Sequence, residues 1–170
     1  TARIHLLGHS YGCKVVMTAL CAPATLSRPV ESALLLQPAI SQYAFAERVP
    51  DRDRPGGFRR ALDRVRLPIA VTYSAEDVAL HDMFHLSVRR KDDLGELQFA
   101  GEGSSPSRYA AMGGYGPQES GARWIGIQPP GTAYLFDGSS RVLAINGTRY
   151  ISGHGEISNP ATWWLSTELA

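Results

Sequence analysis

The sequence predicts an α/β domain: a mostly parallel sheet with helices on its flanks. Short apolar-rich runs such as "IHLL", "ALLL", "IAVTY" and "VLAI" recur along the chain, as expected of buried strands. Stretches with apolar residues at helical spacing follow several of them, and strands alternating with helices build a parallel sheet wrapped on both sides. The 170 residues suffice for one domain with a real core. A composition that is 44% hydrophobic and 19% charged is that of a soluble globular chain.

The first strand is expected over Arg3–Leu7, which is apolar-rich and ends at a glycine. From Tyr11 onward, Val15, Val16, Ala19 and Leu20 recur at helical spacing, and Ala22-Pro23-Ala24 breaks that helix. A second strand covers Ala33–Leu36 and stops at Pro38. The stretch 41–66, rich in Arg, Asp, Pro and Gly, is expected to be an excursion with a short helix near Phe58–Val65. Ile69–Tyr73 forms a third strand before an acidic turn, and Phe84, Leu86 and Val88 suggest a modest helix. The 89–130 stretch is irregular and Gly/Ser-rich; so long a connection in a compact domain is usually functional, mobile or partner-bound, and an excursion or lid-like loop is expected here. "TAYLF" and "RVLAINGTRYI" are strand-like, with Asn146-Gly147 as a hairpin turn between Val142–Ile145 and Thr148–Ile151. Asn159 caps a final helix that has Pro160 at its first position, and Trp163, Trp164 and Leu165 are expected to pack into the core.

Composition excludes several function classes. A net charge of +1 offers no basis for nucleic acid or an anionic membrane as partner. No apolar run reaches the roughly 18 residues that suggest a membrane span. The two cysteines, Cys13 and Cys21, lie eight residues apart on one expected helix, with Cα atoms at roughly 12 Å, too far for a disulfide. They are expected as helix-packing residues and leave the compartment unspecified, with a cytoplasmic setting the default expectation.

Chemistry concentrates at Gly8-His9-Ser10-Tyr11-Gly12, a G-x-S-x-G pattern at a strand-to-helix junction. A sharp turn there lifts the serine Oγ clear of the backbone, small neighbours let strand and helix approach, and the helix N-terminus supplies free N–H groups near a developing oxyanion. Such a serine needs a base and a group that orients the base, in the chain order serine, acid, histidine. Asp77, just past the third strand, and His154, after the last strand region, supply that order. In a parallel sheet the loops following the strands gather at one edge, so Ser10, Asp77 and His154 are expected together.

With these residues in place, the sequence resembles the C-terminal half of an α/β-hydrolase. "LLGHSYG" is similar to the nucleophile strand and elbow, "IAVTYSAEDVAL" to the acid strand and loop, where the family's G-x-x-D reads Ser74-Ala75-Glu76-Asp77 here, and "GHGEI" to the histidine loop. The resemblance covers most of the chain, least well over 41–66 and 89–130. It implies a partial α/β-hydrolase fold and a serine hydrolase that cleaves an ester or thioester of a small-molecule acyl substrate through an acyl-enzyme, with no cofactor. Ser10, Asp77 and His154 carry over as the catalytic residues and the Tyr11 N–H as an oxyanion donor. Measured against that family, about four strands and the second oxyanion donor are missing. The chain is therefore expected to be one part of a longer protein, or to be completed by a partner chain along the apolar edge of Arg3–Leu7.

Other residues compete for roles. Glu76 is the alternative acid. His9 is expected to pack beneath the turn, away from Oγ, and His5 to be a satisfied core residue. Gln37, at the end of the second strand, is a candidate to touch substrate or hold a loop, with a plain strand-end hydrogen bond as the alternative. His81-Asp82-Met83-Phe84-His85 resembles H-E-x-x-H, so a metal-dependent hydrolase using His81 and His85 is a further alternative, as is a non-catalytic binding or scaffold module.

Overall fold

The computed structural model of the chain describes residues 2–50, 52–84 and 108–170. In chain order these form β1 (His5–His9), α1 (Gly12–Cys21), β2 (Ser32–Leu36), a 3-10 turn (Arg59–Asp63), β3 (Ile69–Tyr73), a π-helical turn (Ala79–Met83), α2 (Met112–Tyr115), β4 (Arg123–Gly126), β5 (Val142–Asn146) and α3 (Pro160–Leu169). The five strands make one sheet in the order β1-β2-β3-β5-β4, and every neighbouring pair is parallel. The expected α/β class is therefore the observed one.

Alternation along the strands sends side chains into two cores. Leu35, Ile69, Val71 and Val142 face the side covered by α1, through Cys13, Met17 and Leu20. Leu34, Leu36, Ala70, Leu143 and Ile145 face the other side, covered by Ala161, Leu165 and Leu169 of α3. Because both faces are covered, β2 is buried at every position, which is why it reads as an unbroken apolar run. Each fully buried Leu or Ile contributes about 1.5–3 kcal/mol relative to exposure. The 41–66 stretch adds Phe45, Ala61, Leu62 and Val65 to the α1 side of this core.

Several boundaries differ from the sequence expectation. β1 begins two residues later than expected, because its register pairs His5 with Ser32 and His9 with Leu36. The helix expected at Phe58–Val65 is a 3-10 turn. The expected hairpin about Asn146-Gly147 does not form. Gly147 donates its N–H to the Tyr73 carbonyl (2.7 Å), and Tyr150 and Ile151 both donate back to the Gly147 carbonyl, so the chain turns away from the sheet. "TAYLF" is not a strand; Tyr134 instead enters the α3-side core, where its hydroxyl accepts the Gln128 N–H (2.8 Å). β4, at the sheet edge opposite β1, lies inside the stretch expected to be irregular; its four residues alternate between half-buried and exposed, too few to show a period. Asn159 caps α3 as expected, its side chain accepting from Ala161 and Thr162. Leu165 is buried, but Trp163 points outward and is 65% exposed. Leu86 and Val88, expected on a helix with Phe84, lie outside the described residues. No helix among the described residues is long and apolar enough to cross a membrane.

Both cysteines are free, Cys13 buried and Cys21 half-buried. Burial pushes the Cys13 thiol up to about 12. Relative to an ordinary thiol, its thiolate fraction near neutral pH is lower by about a thousandfold. Since the thiolate is the nucleophile, iodoacetamide at pH 8 is expected to leave Cys13 unmodified in the folded protein and to alkylate it in denaturant, as peptide mass mapping would show; rapid alkylation of the native protein would mean that α1 does not pack as described.

Candidate functional site

The site begins where β1 hands over to α1. Ser10 has φ 54°, in the left-handed region that a non-glycine residue seldom enters. The turn is held from three sides. The Ser10 N–H donates to the Leu36 carbonyl (3.1 Å), extending the β1–β2 ladder, while the Ser10 carbonyl accepts from Cys13 N (3.1 Å) and Ala39 N (3.2 Å). Strand and helix meet closely only at Gly8, where a Cβ would lie 2.9 Å from the Cys13 Cα and 3.0 Å from its nitrogen. Gly12 differs from expectation: a Cβ there would have no described atom within 4 Å, so sterics do not require glycine at the second position.

From this turn the Ser10 hydroxyl points to His154. Ser10 Oγ lies 2.7 Å from His154 Nε2, and His154 Nδ1 lies 2.8 Å from Asp77 Oδ2. Asp77 follows β3 and is fully buried, whereas its neighbour Glu76 is exposed. A carboxylate only accepts, so the Nδ1 proton belongs to this bond and Nε2 is left to accept the Ser10 hydroxyl. An imidazole held in this tautomer is oriented to take up a hydroxyl proton.

The buried carboxylate has further partners. Oδ2 also accepts from Gln37 Nε2 (3.1 Å), and Oδ1 accepts the Leu80 N–H (3.1 Å). Gln37 is thus turned into the core. It is fully buried with φ 44°, and its amide is engaged throughout: Nε2 also donates to the Gly113 carbonyl (3.2 Å), and Oε1 accepts from Thr72 Oγ1 (2.9 Å). Of the roles expected for Gln37, the loop-holding one matches this geometry, and burial removes the substrate contact.

The loop carrying His154 is tethered to the acid loop and to β1. Ser74, the residue standing where the G-x-x-D pattern has glycine, donates its hydroxyl to the Ile151 carbonyl (2.6 Å), and Ala75 N donates to Thr148 Oγ1 (3.1 Å). His9 does not tuck beneath the turn: its Nε2 bonds the His154 carbonyl (2.9 Å), with the two rings 5.0 Å apart. His5 is exposed rather than in the core, and its Nδ1 pairs with Ser32 Oγ at 2.8 Å. Tyr11 is the N-cap of α1, and its N–H has no acceptor among the described residues, as the start of a helix permits.

Sequence reasoning missed Thr72, Gly113 and Gly114. A Cβ on Gly113 would lie 2.6 Å from the Gln37 carbonyl carbon, and one on Gly114 would lie 2.8 Å from the His81 Cα. The pair "GG" in "AAMGGYG" was the available signal, but only the fold shows what it packs against. The candidate metal pair is only half in view. His81 bonds Asp82 (2.7 Å) and stacks on Tyr115 (4.2 Å between rings), and His85 lies outside the described residues. Among the described residues no group of three or more His, Cys, Asp or Glu side chains is placed to hold a metal ion.

Fold and site together define an α/β protein whose five-stranded parallel sheet gathers a serine, a histidine and a buried aspartate after the ends of β1, β5 and β3. Compared with family models, curated proteins and solved structures, the chain matches none.

Proposed function

We propose that the protein is a serine hydrolase acting on an ester or thioester, with Ser10 as nucleophile, His154 as base and Asp77 as the group that orients it. The observation that carries this reading is the continuous hydrogen-bond relay from Ser10 Oγ through His154 to Asp77, anchored on a serine in a strained backbone conformation. In the first half-reaction Oγ bonds to the acyl carbon as its proton passes to His154 Nε2. The oxyanion forms against the unpaired Tyr11 N–H. His154 then gives the proton to the departing alkoxide or thiolate, leaving an acyl-serine. Water attacks the acyl carbon, yields its proton to His154, and releases the carboxylic acid as that proton returns to Ser10 Oγ. No cofactor enters this sequence of steps. In the same reading, the edge of β1 that pairs with no strand among the described residues, with Leu7 53% exposed, is where further strands of the same or another polypeptide complete the sheet.

A fluorophosphonate probe tests the assignment, because it phosphonylates an activated serine and leaves ordinary serines alone. Labelling of Ser10, located by peptide mass analysis and lost in Ser10→Ala, is the expected result. Labelling that survives Ser10→Ala, or no labelling of a folded protein, refutes it.

A further inference from the structure

A pocket of about 590 Å³ opens beside the relay. Tyr11 and Ala39 form its near wall; Tyr11 follows Ser10 in the chain, and the Ala39 N–H holds the Ser10 carbonyl. Ser10 and His154 do not themselves line it, so it is the space next to the reacting centre rather than the centre itself. Its far wall comes from the 41–66 stretch, and Phe84 and Tyr109 add aromatic surface.

The charge of this lining is one-sided. Lys14, Arg52, Arg54 and Arg108 all line the pocket, and among the described residues no Asp or Glu does. Lys14, Arg52 and Arg54 have no ion-pair partner among the described residues. Asp53, between the two arginines in sequence, pairs instead with Arg48 at 2.7 Å, both side chains largely exposed. The Arg108 guanidinium lies over the Tyr109 ring at 4.9 Å. For the chain as a whole the charges nearly cancel, at +1, so this concentration of cations is a local feature. Cations of one sign set in apolar and aromatic walls focus the field and raise the local concentration of anions. Guanidinium groups also match the geometry of carboxylate and phosphate oxygens.

We propose that the pocket selects acyl substrates that carry an anionic group, a carboxylate or a phosphate, a few bonds from the scissile carbonyl. The proposal rests on the hydrolase reading for the bond that is cleaved, while its binding component stands separately. Lys14 on α1 and the Arg52–Arg54 loop receive the anion, and the carbonyl is thereby placed toward Ser10.

Binding to Ser10→Ala separates recognition from chemistry. Three probes serve: methyl hydrogen succinate, with the charge on the acyl side; 2-acetoxyethyl phosphate, with the charge on the alcohol side; and neutral dimethyl succinate. Calorimetry at low salt is expected to show at least one charged ester binding about tenfold or more tightly than the neutral one, the scale of a charge-assisted contact. The stronger of the two identifies the side on which the anion sits. Raising the salt to about 0.5 M is expected to erase most of the preference. The preference is also expected to vanish in the Lys14→Gln/Arg52→Gln/Arg54→Gln variant, to survive Arg52→Lys/Arg54→Lys, and to be indifferent to Arg123→Gln on β4.

Equal binding of charged and neutral probes overturns the proposal, as does a preference that the Lys14/Arg52/Arg54 variant leaves intact. Fluorophosphonate labelling of the unaltered protein distinguishes the two failures. A labelled Ser10 without anion preference sinks the pocket and leaves the hydrolase. An anion preference lost with the three cations, beside an unlabelled Ser10, keeps the pocket and sinks the hydrolase.

Discussion

On the proposed hydrolase reading, Asp77→Asn is expected to lower kcat for ester hydrolysis by about 10⁴, the effect of losing the orienting carboxylate in a serine–histidine–aspartate triad. The structure gives a local reason why asparagine is a poor replacement. Oδ2 accepts from His154 and Gln37, and Oδ1 accepts from the Leu80 N–H, so both oxygens face donors. Placing the asparagine NH₂ at either position sets donor against donor. If it faces His154, the imidazole must turn its unprotonated nitrogen inward and present an N–H to Ser10, which ends its use as a base. If it faces Leu80, the tautomer is kept but a buried N–H loses its acceptor, at about 1–3 kcal/mol. A loss of stability in denaturant titrations is therefore expected along with the loss of rate. Glu76→Gln, at an exposed side chain, is expected to cost less than about tenfold in rate. The reverse ranking would move the acid by one residue.

Gly113→Ala is expected to be among the most destabilising single substitutions, at about 3 kcal/mol, the upper end for inserting a methyl group into a packed site. The new Cβ would lie 2.6 Å from the Gln37 carbonyl carbon and 2.8 Å from the Pro38 nitrogen, both backbone atoms that cannot swing aside. The Gly113 carbonyl also accepts from Ser74 N (3.0 Å) and Gln37 Nε2 (3.2 Å), so displacement of this residue pulls on the acid loop and on the amide that steadies Asp77. Thermal unfolding is expected to shift down by about 10 °C for a chain of this size. An unchanged Tm would show that α2 does not press against the end of β2. Gly12→Ala, where a Cβ has open space, is the control and is expected to fold normally.

Much of the candidate site was legible because the proposed chemistry needs particular residues at particular places along the chain. A serine between glycines at a strand-to-helix junction, an aspartate just past a strand and a histidine in a later loop are local patterns, and a parallel sheet brings the ends of its strands to one edge whatever lies between them. The supporting residues were not legible in the same way. Thr72, Gln37 and Gly113 act through contacts 35 to 76 positions apart in sequence, and His9 reaches the His154 loop across 145. No local pattern marks a glutamine as the partner of a buried carboxylate; that follows only from how β2, β3 and α2 pack.

By itself, then, the sequence determined the α/β class, the cores of β2, β3 and β5, the cap of α3 and the serine–aspartate–histidine order, since each depends on short-range propensity or on periodic burial. Only the tertiary structure decided the register of β1, the edge position of β4 and the failure of Asn146-Gly147 to make a hairpin. The last case shows the physical reason. Asn-Gly favours a two-residue turn in isolation, but the Gly147 N–H lies within reach of the Tyr73 carbonyl at the end of β3, and Ile151 is buried where the chain turns away from the sheet. A turn preference is a weak local term, and a buried backbone hydrogen bond together with a buried isoleucine outweighs it.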